Sequence, residues 1–302
     1  MKDSASQAQA QKSRFLMCRP QHFAVTYSIN PWMDPGAWAQ SGEVLHARAV
    51  RQWTGLHRTL LARGAQIETV EPQPGLPDLV FTANAAVVLD GKAVMARFLH
   101  PERQREQPVY TEAFRALQAR GLLDEVVELP PGVTLEGAGD CIWDRARGLF
   151  WIGSGFRSDA SAADAIEDAF GVRCLPLALS DPHFYHLDTA FCALPSGDVL
   201  YYPGAFTAAA LEIIHDCVAP AQRIALNAAD AERFAANAVC VGRTIVMSSG
   251  SDALRRTLEN RGYKVAKTPL QAFLRSGGSA CCLTLRLDHQ SKTAQASAMA
   301  VA

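Results

Sequence analysis

Three short stretches of this chain carry side chains that can do chemistry, and they lie far apart in the sequence. Ser276-Gly277-Gly278-Ser279-Ala280-Cys281-Cys282-Leu283-Thr284 is a glycine-rich loop running into an apolar strand. A thiol at such a junction is open to activation as a nucleophile. Alternation puts Cys281 and Cys282 on opposite faces, so only one of them reaches a given pocket. His186-Leu187-Asp188 sets an imidazole and a carboxylate on one face of an expected strand, one to work on a substrate and one to hold charge beside it. Thr134-Leu135-Glu136-Gly137-Ala138-Gly139-Asp140 places two carboxylates around a turn of small residues, where glycine lets the backbone approach a ligand. No Lys-Ser/Thr follows, and carboxylates repel phosphate, so this is not a phosphate loop. Plainer readings stay open at this point: packing cysteines, a core histidine, a turn with a capping Asp. His183, His186 and Asp188 are metal-type side chains, but no further His/Cys pair completes a tetrahedral set, so no metal is expected.

The elements that must position these residues repeat. Amphipathic helices are expected around Val50–Leu60, Phe114–Leu117, Ala163–Phe170 and Leu254–Leu258. They stop at Gly64, Gly121, Gly171 and Gly262, where glycine closes the last turn in the left-handed conformation. One more stretch, Phe206–Cys217, ends without glycine ahead of Pro220. Each helix is followed by a β-type run and then a hairpin, with turns at Asp90-Gly91-Lys92, Arg145–Gly148, Pro195–Asp198 and Gly242-Arg243. About five such units, at roughly 45–55-residue intervals, fit between Phe15 and His289 and point to a closed ring of repeats. The polar residues recur at matching places. Asn84 lies 20 residues after Gly64, Asp140 19 after Gly121, Asp188 17 after Gly171 and Cys282 20 after Gly262. In a ring, equivalent places converge on one end of the axis.

Composition narrows the function. The chain has 302 residues, is 49% hydrophobic and carries a formal net charge of −1. No field of one sign exists to grip nucleic acid or an anionic membrane. No apolar run approaches the ~18–20 residues that cross a bilayer. Eight scattered cysteines without a CxxC pair fit a reducing cytoplasm. Residues 1–13 read as a disordered leader, 14–289 as a single domain and 290–302 as a flexible tail.

Pro77-Asp78-Leu79-Val80-Phe81-Thr82-Ala83-Asn84, Leu135-Glu136-Gly-Ala-Gly-Asp140, His186-Leu-Asp188 and Gly277-Gly-Ser-Ala-Cys-Cys282 together resemble the guanidino-group-modifying enzymes. These are the arginine deiminases, dimethylarginine dimethylaminohydrolases, arginine dihydrolases and amidinotransferases. The resemblance covers about Phe15 to Asp288 and implies a five-bladed α/β propeller (pentein) of ββαβ units. It implies Cys282 as nucleophile, His186 as general acid/base, and Glu136 and Asp188 as carboxylates that hold the guanidinium. It further implies Asp78 at the substrate α-amino group and Arg97 and Arg157 at its α-carboxylate. Asn84 stands where deiminases and dimethylaminohydrolases carry a second Asp. That feature, with Met17-Cys18-Arg-Pro20 and Ile29-Asn30-Pro-Trp-Met33, looks most like the arginine dihydrolases and brings in Asn30 as a substrate contact. The implied activity is hydrolysis of C–N bonds in arginine or a methylarginine, without metal or cofactor. The implied partner is a small guanidino substrate, and an assembly of identical chains is left open.

Overall fold

The computed structural model describes residues 12–291. Five three-stranded sheets are arranged as five units of one design: an antiparallel hairpin, a helix, and a third strand that returns parallel to the second strand of the hairpin. The second unit pairs Ala86–Leu89 with Lys92–Met95 and adds Glu125–Val127 after the helix Gln107–Ala119. The third uses Cys141–Asp144, Leu149–Ser154, the helix Ala162–Phe170 and Cys174–Ala178. The fourth uses Phe191–Ala193, Val199–Tyr201, Ala208–Cys217 and Arg223–Ala225. The fifth uses Val239–Val241, Thr244–Met247, Asp252–Asn260 and Lys264–Lys267. The first unit joins both ends of the described chain. Arg14–Cys18 pairs antiparallel with Leu285–Arg286 and parallel with Gln66–Val70, across the helix Gly42–Leu61. The ring of ββαβ repeats expected from the sequence is therefore closed, by residues 15 and 16 against 286 and 285.

The stop signals work as their chemistry dictates. Gly64, Gly121, Gly171 and Gly262 all take positive φ, a region costly to side chains with a Cβ. Each helix turns one apolar stripe inward, and burial of each large side chain contributes about 1.5–3 kcal/mol. In the first helix that stripe is Leu45, Ala49, Trp53, Leu56 and Leu60, whereas Val50 is exposed. The expected face was one residue out of phase at its start, because Ala49 is too small to announce itself as core.

The expected leader and tail lie mostly outside the described residues. Of the residues assigned to them, Ser13 and Ser291 are buried, Ser13 accepting from the Gln66 amide and Ser291 donating its N–H to Asp90.

What matters for function is the crossing from each unit to the next. Five short crossings run toward one end of the axis. They contain Thr82–Ala85, Gly137–Gly139, His186 with Leu187–Ala190, the turn before Val239, and the turn Ala280–Leu283.

Candidate active site

Each crossing delivers a buried polar side chain. Thr82–Ala85 forms one turn of 3-10 helix and carries Asn84, 2% exposed. The glycine turn Gly137–Gly139 packs directly on it. A Cβ on Gly137 would lie 2.7 Å from the Ala83 carbonyl, and one on Gly139 would lie 2.3 Å from Asn84 Nδ2. The small residues thus let two crossings touch, and Asn84 Nδ2 donates to the Glu136 carbonyl at 3.1 Å.

Around Glu136 the charges are matched. Its Oε2 lies 2.8 Å from His186 Nε2 and accepts from Arg157 at 3.0 Å, and its Oε1 accepts from the Leu99 amide at 3.2 Å. Burial pushes this carboxyl up, but the Arg157 guanidinium and the His186 contact outweigh it and hold Glu136 well below the ordinary range. Asp140, with Ser158 on Oδ2 and the Leu187 amide on Oδ1, is pushed up to about 6, chiefly by burial.

The sulfur lies in a second cluster. Cys282 Sγ donates to Asp188 Oδ2 at 3.2 Å and accepts from Asn237 Nδ2 at 3.0 Å. Asp188 Oδ1 is buried without a hydrogen-bond partner among the described residues. Burial raises Asp188 to about 7, against the opposing pull of its polar neighbours, the Cys282 thiol first. Burial first, then the neighbouring carboxylate, raises the Cys282 thiol well above its ordinary value. No hydrogen bond joins His186 to Cys282 among the described residues; each bonds its own carboxylate. Asn84 and Arg157 link the clusters, since both touch Glu136 and both line the same small pocket as Cys282.

That pocket is nearly shut. Its cavity is about 10 Å³, close to the volume one water needs. Its wall includes Ile29, Asn30, Asp78, Arg103, Tyr185 and Ser276. Asn30 Nδ2 donates to the Ser276 carbonyl at 3.1 Å, and Arg157 donates to the Ile29 carbonyl while lying 4.5 Å over the Tyr185 ring. Asp78 accepts from Tyr27 and Ser276, and burial raises its carboxyl. A larger cavity of about 480 Å³ is lined by the first hairpin strands of the ring and holds Cys281 but not Cys282. The adjacent thiols do face different spaces. Cys282, Asp78, Asn84 and Arg157 all line the smaller one and are absent from the larger, so the chemistry is assigned to the smaller.

Three sequence expectations need correction. His186 and Asp188 do not share a strand. His186 is extended and caps the one-turn helix Leu187–Ala190, whose first turn holds Asp188, so the imidazole meets Glu136 and the carboxylate meets Cys282. Cys282 sits in a turn ahead of the short strand Leu285–Arg286. Arg97 is not brought to the pocket: its guanidinium donates to the carbonyls of Leu129, Pro130 and Val133. The arginine that joins Arg157 in the pocket wall is Arg103, 3% exposed, donating to Asn84 Oδ1 at 2.9 Å and bidentate to Glu106. It hides in the charged run Pro101–Gln107, which reads as a solvated face. Asn237 was also missed, although it lies 20 residues after Cys217, the offset seen in the other units. His183 is set apart from His186, facing Asp181 at 3.0 Å.

With this geometry in place, similarity to known proteins becomes informative. The family profile described as "N,N dimethylarginine dimethylhydrolase, eukaryotic" matches residues 19–288. The chain belongs to that family. It is 46% identical to a bifunctional arginine dihydrolase/ornithine cyclodeaminase of Nostoc, over 91% of this chain and 38% of that protein. It is 37% identical to an N(G),N(G)-dimethylarginine dimethylaminohydrolase of Mycobacterium tuberculosis, over 91% of this chain and 85% of that one. Among solved structures it superposes, with a TM-score of 0.85 and 41% identity, on the substrate-bound N-terminal domain of the cyanobacterial arginine dihydrolase ArgZ. That match covers 92% of this chain and 99% of the other. The family member described here spans less than two fifths of the length of its two bifunctional cyanobacterial relatives, at 38% and 37%. Its fold is the five-unit α/β propeller of these proteins.

Proposed function

We propose that this chain hydrolyses the guanidino group of arginine through a covalent intermediate on Cys282, and that the ureido product is hydrolysed again to ornithine. The observation that carries the reading is Asp188. One oxygen bonds the Cys282 thiol, and the other is buried, unpaired and therefore suited to a guanidinium N–H beside the sulfur. Guanidinium stays protonated at neutral pH and pairs well with carboxylates. Its positive charge next to Sγ favours the thiolate that burial and Asp188 oppose. As the guanidinium binds, the thiol releases its proton to solvent; the thiolate then adds to the guanidine carbon, and the C–N bond breaks as His186 gives a proton to the departing amine. Water, deprotonated by the same imidazole, adds to the thiouronium carbon. The C–S bond breaks, and the thiol and a ureido group are left. Glu136, whose carboxyl is held below the ordinary range, meets His186 Nε2 at 2.8 Å and fixes the orientation of the imidazole in this cycle.

Substrate needs room, so the Ile29–Asn30 strap and Arg157 must shift before binding. Arg157 now pairs with Glu136 and fills space a substrate needs. Freed from Glu136, it is placed, with Arg103, to meet a carboxylate. Asp78 is the acceptor available to an α-amino group.

Asn84 favours the second hydrolysis. Its Oδ1 is taken by Arg103 and one Nδ2 hydrogen by the Glu136 carbonyl, which leaves the other hydrogen for a ureido oxygen. A carboxylate there offers acceptors only. The high similarity to arginine dihydrolases supports this reading. The family match and the mycobacterial relative favour a second reading, hydrolysis of dimethylarginine to an amine and citrulline.

The test is product analysis after incubation with arginine, citrulline, monomethylarginine and dimethylarginine. Ornithine and ammonia from arginine are expected. Citrulline accumulating without ornithine would refute the double hydrolysis, and faster turnover of dimethylarginine than of arginine would establish the second reading.

A further inference from the structure

Four of the five crossings supply residues the proposed reaction uses; the fourth-to-fifth crossing supplies Asn237, which neither the sequence motifs nor the reaction accounts for. It is fully buried, at 0% exposure. It holds the nucleophile turn at three points. Its side-chain Oδ1 accepts from the Cys282 amide at 3.2 Å, its carbonyl accepts from the Cys281 amide at 3.4 Å, and its Nδ2 donates to Cys282 Sγ at 3.0 Å. The remaining Nδ2 hydrogen goes to the Asp188 carbonyl at 3.1 Å. The orientation of the amide is fixed by chemistry. The Cys282 N–H needs an acceptor, and only Oδ1 is one, so the donor end must face the sulfur.

The backbone pays attention to the same point. Phe234, fully buried, sits at φ 56, a conformation a bulky residue adopts at a cost, and its carbonyl accepts from the Asn237 amide at 3.1 Å. Strain of this kind persists where the surroundings require one geometry.

We propose that Asn237 is a catalytic residue, donating its amide hydrogen to the Cys282 sulfur so that the thiolate is stabilised and held in line. The thiol hydrogen points to Asp188, so once that proton leaves, the sulfur faces a carboxylate. Asn237 then supplies a side-chain N–H to the sulfur, beside the Ser279 backbone amide. Its side chain bonds the sulfur and the amide of Cys282, so its effect is expected on the reacting atom. The inference rests on the reading of Cys282 as nucleophile.

The test compares Asn237→Asp, Asn237→Ser and wild type as full chains, with Cys282→Ser as reference. Each is checked for folding by circular dichroism. The pH dependence of alkylation by iodoacetamide at Cys282, in which sulfur displaces iodide, is read alongside kcat and KM for arginine. Asn237→Asp keeps the shape and the acceptor but loses the donor. Its alkylation midpoint is expected to rise by about one to two pH units, and kcat to fall about 10- to 100-fold, with KM within about three-fold. Asn237→Ser, which retains a hydroxyl donor on a shorter stem, should fall between and serves if the Asp variant does not fold. A superimposable alkylation profile in folded Asn237→Asp overturns the proposal, even if kcat falls, because the lost donor and the added carboxylate should both raise the midpoint. Turnover that survives in Cys282→Ser instead overturns the nucleophile reading, a distinct result.

Discussion

Gly139→Ala is a one-carbon perturbation whose consequence can be worked from distances. Gly139 is not in the left-handed region, so alanine adopts its backbone without strain. The added Cβ, however, falls 2.3 Å from Asn84 Nδ2, about 1.1 Å short of the 3.4 Å at which ordinary contact begins. Asn84 cannot retreat freely, since Arg103 and the Glu136 carbonyl hold both ends of its amide. Overpacking of this kind costs about 1–3 kcal/mol of stability. Displacement of a site group by about 1 Å costs on the order of 100-fold in rate. The His186 ring, 3.5 Å from the new carbon, stays in normal contact, so the damage should centre on Asn84. Steady-state ammonia release and urea denaturation on wild type, Gly139→Ala, Asn84→Ala and the double variant form a cycle. In the Asn84→Ala background the obstructing atom is gone, so Gly139→Ala should cost less than about 0.5 kcal/mol there, giving a coupling of about 1–3 kcal/mol. Gly148→Asn, half-buried in a turn at φ 69 where an added Cβ would meet nothing within 4 Å, is the control and should leave turnover intact. A Gly139→Ala enzyme within three-fold of wild-type activity, or two additive variants, would refute the close-approach reasoning.

Arg103→Ala leaves the Glu106 carboxylate buried at 0% exposure without its bidentate partner, and should destabilise the chain by about 3–5 kcal/mol in urea melts. An effect below about 1 kcal/mol would show that Glu106 finds another partner. Asn84→Asp should shift arginine products toward citrulline by slowing the second hydrolysis about 10- to 100-fold, as read by chromatography; unchanged ornithine yield contradicts the role given to the amide. Asp188 is raised by burial from 3.8 to about 7, so the folded chain keeps a proton that the unfolded chain releases between those values. The contribution is complete below the unfolded value and lost as pH rises through about 7. The stability of wild type relative to Asp188→Asn should therefore decline between about pH 4 and about pH 7 in urea melts and level off above that; a flat or rising difference over that window speaks against it.

The fold was legible because its punctuation has few alternatives. Glycine after a helix and hairpin turns at even intervals leave little choice but a repeat, and counting from each glycine located Asn84, Asp140, Asp188 and Cys282. Counting failed where glycine was missing: the helix Ala208–Cys217 ends on Val218 without a left-handed residue, so Asn237 had no mark to be counted from. His186 and Asp188 were expected on one strand face and instead meet different partners, since a one-turn helix gives no periodic signal. Arg103 and Arg97 show the harder limit. Both are arginines near carboxylates in sequence, and only tertiary packing decides that one meets Asn84 while the other ties down the carbonyls of residues 129–133.

The ring is joined by Arg14–Cys18 lying against Leu285–Arg286, with the Ala83 amide also donating to the Cys282 carbonyl. Those contacts span nearly the whole described chain, and contacts of such sequence separation form slowly. Helices and hairpins are local and can precede them. During refolding, the sulfur therefore reaches its neighbours only when the first and last strands find each other. Recovered turnover should trail recovered helicity, which makes catalysis a clock for the final joining step.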